Sequence, residues 1–355
     1  MTIRLIGQAN DSGIGTHFYH YATALGQIYG LDQTLEIIDF IDGARLEQAG
    51  IKSQQHDINI SFVGAQLGGY FRGTNIQWTV FEGTRIPLSQ RPMYDSHDIW
   101  LPSEWGRRTA IANGVDPSRI AVVPEGVDHN LFHPYLKPRE TRPFRFLTIG
   151  KYEVRKSYDE LLTAFAETYG NDPAVELVIK SGFFQDVERK EREMRDHIAS
   201  FGCNNIRLFF GSYSQFDISN LYRSCDCFVF PSKAEGWGLP LIEAAASGLP
   251  LITTNYSAHT EFLQHITSSC LFVDYDMGPV NCPEYKQFYP MPDGDWGQWA
   301  HPRVSSIADR MREAYEKSPI YRVEALKNSE IIRGQYSWAQ SATKSLETLR
   351  KRNLV

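Results

Sequence analysis

"CDCFVFPSKAEGWGLPLIEAAASGLPLITT", residues 225–254, reads as strand, turn, helix and strand in one run. Cys227 to Phe230 is continuously apolar, as a parallel strand buried on both faces tends to be. Pro240 falls in the first turn of the helix and Gly248 just past its end, which is where each residue is best tolerated. A strand, a crossover helix and a second strand make the repeating piece of a parallel α/β sheet. Two carboxylates stand inside it, Glu235 in the turn at the strand's tip and Glu243 in the first turn or so of the helix.

Working outward, the same alternation fills the second half of the chain. "FRFLTIG" (144–150), "VELVIKSG" and "IRLFFG" read as strands, with helices at "SYDELLTAFAETYG" and from about Asp186 to Phe201. The first half repeats the pattern with "IRLIG" (3–7), "LEIIDF" (35–40), "DINISFV" (57–63), "IQWTVF" (76–81), "DIWLPS" (98–103) and "IAVVPEG" (120–126). A chain of 355 residues exceeds what one core usually supports. The proline-rich "FHPYLKPRETRP" places a boundary near residue 140. Two Rossmann-like halves are expected, facing each other across a cleft at their strand C-termini. The segment 275–300 reads as an aromatic, loop-rich stretch, either a lid, an acceptor platform or ordinary packing.

A net charge of -6 with interspersed signs excludes a nucleic-acid partner, which demands a basic face. No apolar run has the length of a spanning helix, and a cytoplasmic protein is expected. The five cysteines are odd in number and lack a CxxC spacing, which fits a reducing compartment, with Cys225 and Cys227 in the core.

The residue types at the strand tips define a chemistry. Backbone amides of Gly236, Trp237, Gly238 and Leu239, with a helix dipole behind them, can donate to ligand oxygens. A carboxylate there opposes a bare phosphate, so Glu235 and Glu243 suit sugar or ribose hydroxyls; Glu243 also fits an ordinary acid at a helix start. Lys151, Arg155 and Lys156 crowd the turn after "FRFLTIG" and read as a diphosphate grip or as a solvated turn. As an exposed side chain, Lys156 is expected to be replaceable without loss of fold. Gly13 and Gly15 form a second phosphate-type turn ahead of a helix, without the spacing of the dinucleotide fingerprint.

Three blocks carry a resemblance: "PSEWGRRTAIANGVDPSRIAVVPEGVDHNLFHP", "IGKYEVRKSYDELLTAF" and "LYRSCDCFVFPSKAEGWGLPLIEAAASGLPLITT". The chain resembles a retaining glycosyltransferase of the GT-B fold, family 4 (glycosyl transferases group 1), over nearly its whole length. The resemblance implies an N-terminal acceptor-side domain over 1–140 and a nucleotide-sugar domain over 141–335. It also implies a closing helix over 336–355 that crosses back to the first domain. Glu235 would contact the donor sugar and Glu243 the ribose; Gly236, Trp237, Gly238 and Leu239 would hold hydroxyls and phosphate. Lys151 and Lys156 would grip the diphosphate, with Gly13 and Gly15 covering it. The donor implied is a UDP- or GDP-linked hexose, the acceptor a saccharide or other hydroxyl compound, and neither cofactor nor metal is needed. No Asp-x-Asp stands in the segments that carry these motifs. The family's usual histidine after the fourth strand is replaced by "WTVFEGTRIP", so Glu82 is either a site residue or a loop cap. Oligomeric state and a peripheral contact with the inner face of a membrane stay open. A sugar phosphorylase or isomerase would need a further phosphate or cofactor site, and a noncatalytic nucleotide-sugar-binding module would dispense with Glu235.

Overall fold

The computed structural model describes residues 2–10, 12–29, 34–39, 54–62, 71–135, 142–183, 186–288 and 291–355. The expected boundary near residue 140 lies outside the described residues. The chain forms two compact units, one of residues 1–128, 283–297 and 336–355, the other of 129–282 and 298–335.

In the first unit the chain runs β1 (Thr2–Gly7), α1 (Gly13–Tyr29), β2 (Thr34–Asp39), β3 (Ile58–Ser61) and β4 (Thr74–Trp78). It continues through α2 (Arg91–Ser96), β5 (Asp98–Leu101), α3 (Glu104–Ala112) and β6 (Ile120–Val122). All neighbouring strands are parallel, in the order β2-β1-β3-β4-β5-β6. The order reverses between β1 and β3, and α1 leaves the sheet there. Such a switch point is where open α/β sheets bind ligands.

The second unit runs β7 (Phe144–Ile149), α4 (Tyr158–Tyr169), β8 (Val175–Ser181), α5 (Val187–Ser200), β9 (Ile206–Phe210) and α6 (Gln215–Ser224). Then come β10 (Cys227–Phe230), α7 (Leu239–Ala246), β11 (Leu251–Thr254), α8 (Thr260–Leu263) and β12 (Cys270–Val273). Its parallel sheet has the order β12-β11-β10-β7-β8-β9. Every residue of β8, β10 and β11 is buried, which explains the unbroken apolar run of β10. The helix expected at "PLIEAAASG" is α7, closed by Gly248 in the left-handed region (φ 75°), whose N–H bonds Ala245 O at 3.0 Å. Here the order reverses between β7 and β10.

The stretch after β12 is more regular than its sequence reads. β13 (Tyr275–Pro279) pairs antiparallel with a later strand, β14 (Gln298–Pro302). Between them the chain carries α9 (Pro283–Phe288) among residues 283–297, which belong to the first unit. Proline and glycine at both hairpin arms hide the strand pattern. After β14 come α10 (Val304–Glu316) and α11 (Ser318–Gln335) in the second unit, and α12 (Trp338–Lys351) in the first.

Helix α12 packs on α1 through Tyr21 and Ser345, whose hydroxyls are 2.7 Å apart, and Ser341 Oγ donates to Pro124 O at 2.7 Å. Gly126 is bare because a Cβ there would lie 2.5 Å from Trp338 N. The Trp338 ring stacks on His17 (5.4 Å) and His20 (5.5 Å). Beneath it, buried His17 Nδ1 stands 3.6 Å from the buried Glu125 Oε1. Burial pushes the Glu125 carboxyl from 4.5 up to about 8, and burial with His20 nearby holds His17 down from 6.5 to about 3.

These shifts fix a sign for stability against pH. Glu125, raised on folding, contributes stability that is full below pH 4.5 and is lost as pH rises through about 8. His17, depressed on folding, contributes stability that is full above pH 6.5 and is lost as pH falls through about 3. Between pH 4.5 and 6.5 the two slopes cancel. Above that plateau Glu125 acts alone, and roughly 2 kcal/mol should be lost between pH 6.5 and 8. The difference in stability between wild type and Glu125→Gln should therefore change by about that amount over this range. Urea unfolding of both proteins at each pH measures it, and a flat difference curve would exclude the assignment.

Candidate functional site

The second unit gathers its charged groups at the carboxyl ends of β7 and β10, the switch-point neighbours. Gly150 follows β7, and a Cβ there would lie 3.3 Å from Lys156 Cδ, so the bare glycine lets the Lys156 stem cross the strand tip. The stem places Nζ 4.7 Å from the Phe230 ring centroid at the end of β10. Ser157, the next residue, opens α4 in the left-handed region (φ 57°) with its hydroxyl buried and unpartnered. Lys151 is half-buried in the same turn.

Lys156 is not an exposed turn residue: its side chain is only 9% exposed, and Nζ lies 2.6 Å from Glu235 Oε1. Arg155, whose role sequence reading missed, is buried as well. Its Nη1 lies 2.9 Å from the same Oε1 and donates to Ala234 O at 2.7 Å, while Nη2 donates to Glu153 Oε1 at 2.8 Å. Lys233 N donates back to Arg155 O at 2.8 Å, and Ser232 Oγ donates to Glu235 Oε1. The turns after β7 and β10 are thus zipped together across 79 residues of sequence.

Burial alone would raise the Glu235 carboxyl. Arg155 and Lys156, with the bonds from Lys156 and Ser232, outweigh it and hold the group down to about 2. Burial, with Arg155 beside it, lowers the Lys156 ammonium against the pull of Glu235. These shifts oppose each other, and the ion pair prevails because one carboxylate serves two cations. Glu235 is ionised, and with Glu153 also on Arg155 the two carboxylates balance the two cations.

Glu243, buried in α7, takes the opposite state. Tyr222 Oη donates to its Oε2 (3.0 Å) and also lies 2.9 Å from Pro240 O. Burial, opposed only by that bond, pushes the Glu243 carboxyl up to about 8. Among the described residues, the bonds to Glu235 all fall on Oε1 and the bond to Glu243 on Oε2. Each carboxylate keeps one oxygen for something else. Between them Gly238 holds φ 94° at the opening of α7, and Leu239 and Pro240 are half-buried there. The Trp237 ring turns inward, 2% exposed and edge-on to Phe262 at 5.2 Å, so this residue offers its backbone and not its indole.

In the first unit, Gly15 N donates to Ser12 Oγ at 3.0 Å, so that amide caps α1. A Cβ on Gly15 would lie 2.5 Å from Asn10 N, so the turn needs glycine for close packing. Gly13 opens the helix itself. Glu82 is half-buried in a bend after β4. Its loop is fixed by Asn113, which donates to Thr84 O (2.9 Å) and accepts from Ile86 N (3.1 Å). Arg85 donates to Asp293 (2.7 Å) and Asp295 (2.9 Å), so that Asp-x-Asp pair serves an ion pair. His301 Nε2 lies 3.1 Å from Pro279 O within the β13–β14 hairpin, a structural place. Among the described residues, no cluster of His, Cys, Asp or Glu is placed to hold a metal, and no helix is long and apolar enough to cross a membrane.

Two parallel six-stranded sheets with helices, each with a switch point in its strand order, are consistent with the two Rossmann-like domains of the GT-B fold. The whole chain superposes on HepE of Anabaena, crystallised with UDP and glucose, at a TM-score of 0.73 and 13% identity, covering 99% of this chain and all of that one. Sucrose-phosphate synthase of Thermosynechococcus elongatus gives 0.73 at 15% identity, covering 99% of each. Residues 136–277 match the family glycosyl transferases group 1. Among curated relatives, mannosylfructose-phosphate synthase of Agrobacterium fabrum is 28% identical over 153 residues, 40% of this chain and 34% of that protein. D-inositol 3-phosphate glycosyltransferase of Acidothermus cellulolyticus is 25% identical over 207 residues, 55% of this chain and 46% of that protein. The matched stretch thus spans a third to a half of these relatives. The chain has the GT-B glycosyltransferase fold, and residues 136–277 of it carry the match to glycosyl transferases group 1.

Proposed function

We propose that this protein is a retaining glycosyltransferase of family 4 that moves a hexose from a nucleoside-diphosphate sugar to a hydroxyl acceptor. The reading is carried by the two buried carboxylates, each with one oxygen tied down and the other left, flanking a glycine turn beside Lys156. In it, Glu243 Oε1 accepts from the ribose, and Lys156 and Lys151 take the diphosphate with the amides at the opening of α7. Glu235 Oε2 accepts from a hydroxyl of the donor sugar. In the first unit, Gly13 and Gly15 keep a proposed role toward the diphosphate and Glu82 toward a sugar hydroxyl. The bond from the anomeric carbon to the phosphate oxygen breaks while the acceptor oxygen bonds on the same face. The acceptor proton passes to the departing phosphate, whose growing charge meets Lys156 and the α7 dipole. No metal is needed in this scheme, and a cytoplasmic location suits its donor.

UDP or GDP, tested separately with chelator present, should raise the melting temperature, since ligand at a hundredfold excess stabilises by about 2.7 kcal/mol. Glu243→Ala should weaken that nucleotide by about 0.5 to 1.5 kcal/mol, the worth of a hydrogen bond to a neutral carboxyl. Stabilisation only with manganese or magnesium would overturn the metal-free scheme, and unchanged affinity in Glu243→Ala would overturn the ribose assignment. Turnover of UDP-glucose, UDP-N-acetylglucosamine and GDP-mannose, with the product's anomeric configuration read by NMR, tests retention.

A further inference from the structure

Glu235 is held by its backbone as firmly as by its carboxylate. Its N–H donates to Ser257 Oγ at 2.8 Å, and its carbonyl accepts from Ala258 N at 3.3 Å. Both partners lie in the turn between β11 and α8. Thr254 Oγ1, at the end of β11, donates to Ser232 O at 2.6 Å, so the same turn also grips the start of the Glu235 loop. Ser257 itself is 1% exposed and sits at φ 67°, in the left-handed region that a side chain resists. Its carbonyl is locked by Thr260, through N at 3.2 Å and Oγ1 at 2.7 Å. Two residues on, His259 donates from Nε2 to Thr254 O at 2.7 Å, which leaves Nδ1 as a buried acceptor without a partner.

The turn therefore contains a strained serine and an unsatisfied ring nitrogen, both beside Glu235. Glycine would occupy φ 67° at lower strain, but it has no hydroxyl to offer the Glu235 amide. Uncompensated strain of this kind collects where geometry has a function to serve. We infer that Ser257 is a positioning residue for Glu235: its hydroxyl fixes the loop so that Oε2 meets the donor sugar while Oε1 stays with Arg155 and Lys156. This rests on the reading of Glu235 given above, and it adds the turn after β11 to the machinery of that site.

The test compares Ser257→Gly with Ser257→Ala. Both remove the hydroxyl, but glycine releases the left-handed strain and alanine keeps it, so the glycine variant should melt above the alanine variant. If the hydroxyl positions Glu235, kcat should fall in both to a similar degree, about 10- to 100-fold, as for a small misplacement of a reacting group. Affinity for UDP or GDP alone, read by calorimetry, should change by less than about threefold. The donor is whichever of UDP-glucose, UDP-N-acetylglucosamine and GDP-mannose the wild type turns over. Activity that follows melting temperature, with the glycine variant near wild type, would show a merely structural serine and overturn the inference. Glu235→Gln, measured alongside, separates the two levels. If it keeps full turnover, the reading of Glu235 itself fails; if it loses turnover while Ser257→Gly does not, only the role of Ser257 fails.

Discussion

Lys156→Ala should lower sugar transfer by about a thousandfold, because in the proposed reaction the departing diphosphate loses the Lys156 ammonium at the tips of β7 and β10. Nucleotide affinity should fall too, since a charged hydrogen bond to phosphate is worth about 1.5 to 3 kcal/mol. The fold will feel the change as well, contrary to what an exposed lysine would allow. Lys156 Nζ is 2.6 Å from Glu235 and stands over the Phe230 ring, and its stem passes beside Gly150. Arg155 and Ser232 remain to hold Glu235, so the loss should be about 1 to 3 kcal/mol and not that of an orphaned charge. Lys156→Met keeps the stem and drops the charge. It should recover part of the stability and none of the rate. A methionine variant that turns over like wild type would remove Lys156 from the chemistry.

What the sequence made legible here is what neighbours in sequence decide. Cys227 to Phe230 announced a buried strand, Pro240 and Gly248 bracketed the helix, and Glu235 could be placed in the turn before it, whereas Glu243 lies past the first turn where its spacing put it. What it hid depends on partners far along the chain. Arg155 reads as one more base in a turn, and only the fold brings it to Ala234 and Glu235. Trp237 looks like part of a ligand loop until Phe262 is seen to take its ring. Ser257 carries no mark of its left-handed backbone, because serine, unlike glycine, does not advertise that conformation. His17 and Glu125 are each unremarkable as letters, and it is burial above all that drives their titrations in opposite directions.

In sequence, charge reads as exposure, because an isolated ion costs too much to bury. Around Glu235 the charges pay that cost for one another, so Lys156 and Arg155 went inside. The same rule, applied to Glu243, gives the reverse outcome: with a tyrosine hydroxyl as its hydrogen-bond partner, the carboxyl is driven up to about 8. Two glutamates eight positions apart thus differ in charge state by environment alone.

That difference sets the expectation for Glu235→Gln, which should separate catalysis from binding. The wild-type carboxyl is held down to about 2 from 4.5, so its ion pairs contribute stability that is full above pH 4.5 and is lost as pH falls through about 2. At neutral pH the glutamine variant should forfeit about 3 kcal/mol of that contribution, leaving Lys156 without its counter-charge and Arg155 with Glu153 alone. The freed cations should hold UDP or GDP as tightly as before, or more tightly, because Lys156 no longer shares its charge with a carboxylate. Turnover should nonetheless fall by about a thousandfold: positive charge grows at the anomeric carbon during transfer, and the anionic Glu235 that steadies the sugar beside it is gone. Calorimetry with UDP and GDP, set against kcat for the donor the wild type uses, gives both numbers. If Glu235→Gln instead loses the nucleotide while saturated enzyme keeps its rate, then Glu235 is a binding carboxylate, and the transition-state contact must be sought at Glu243 or at Glu82.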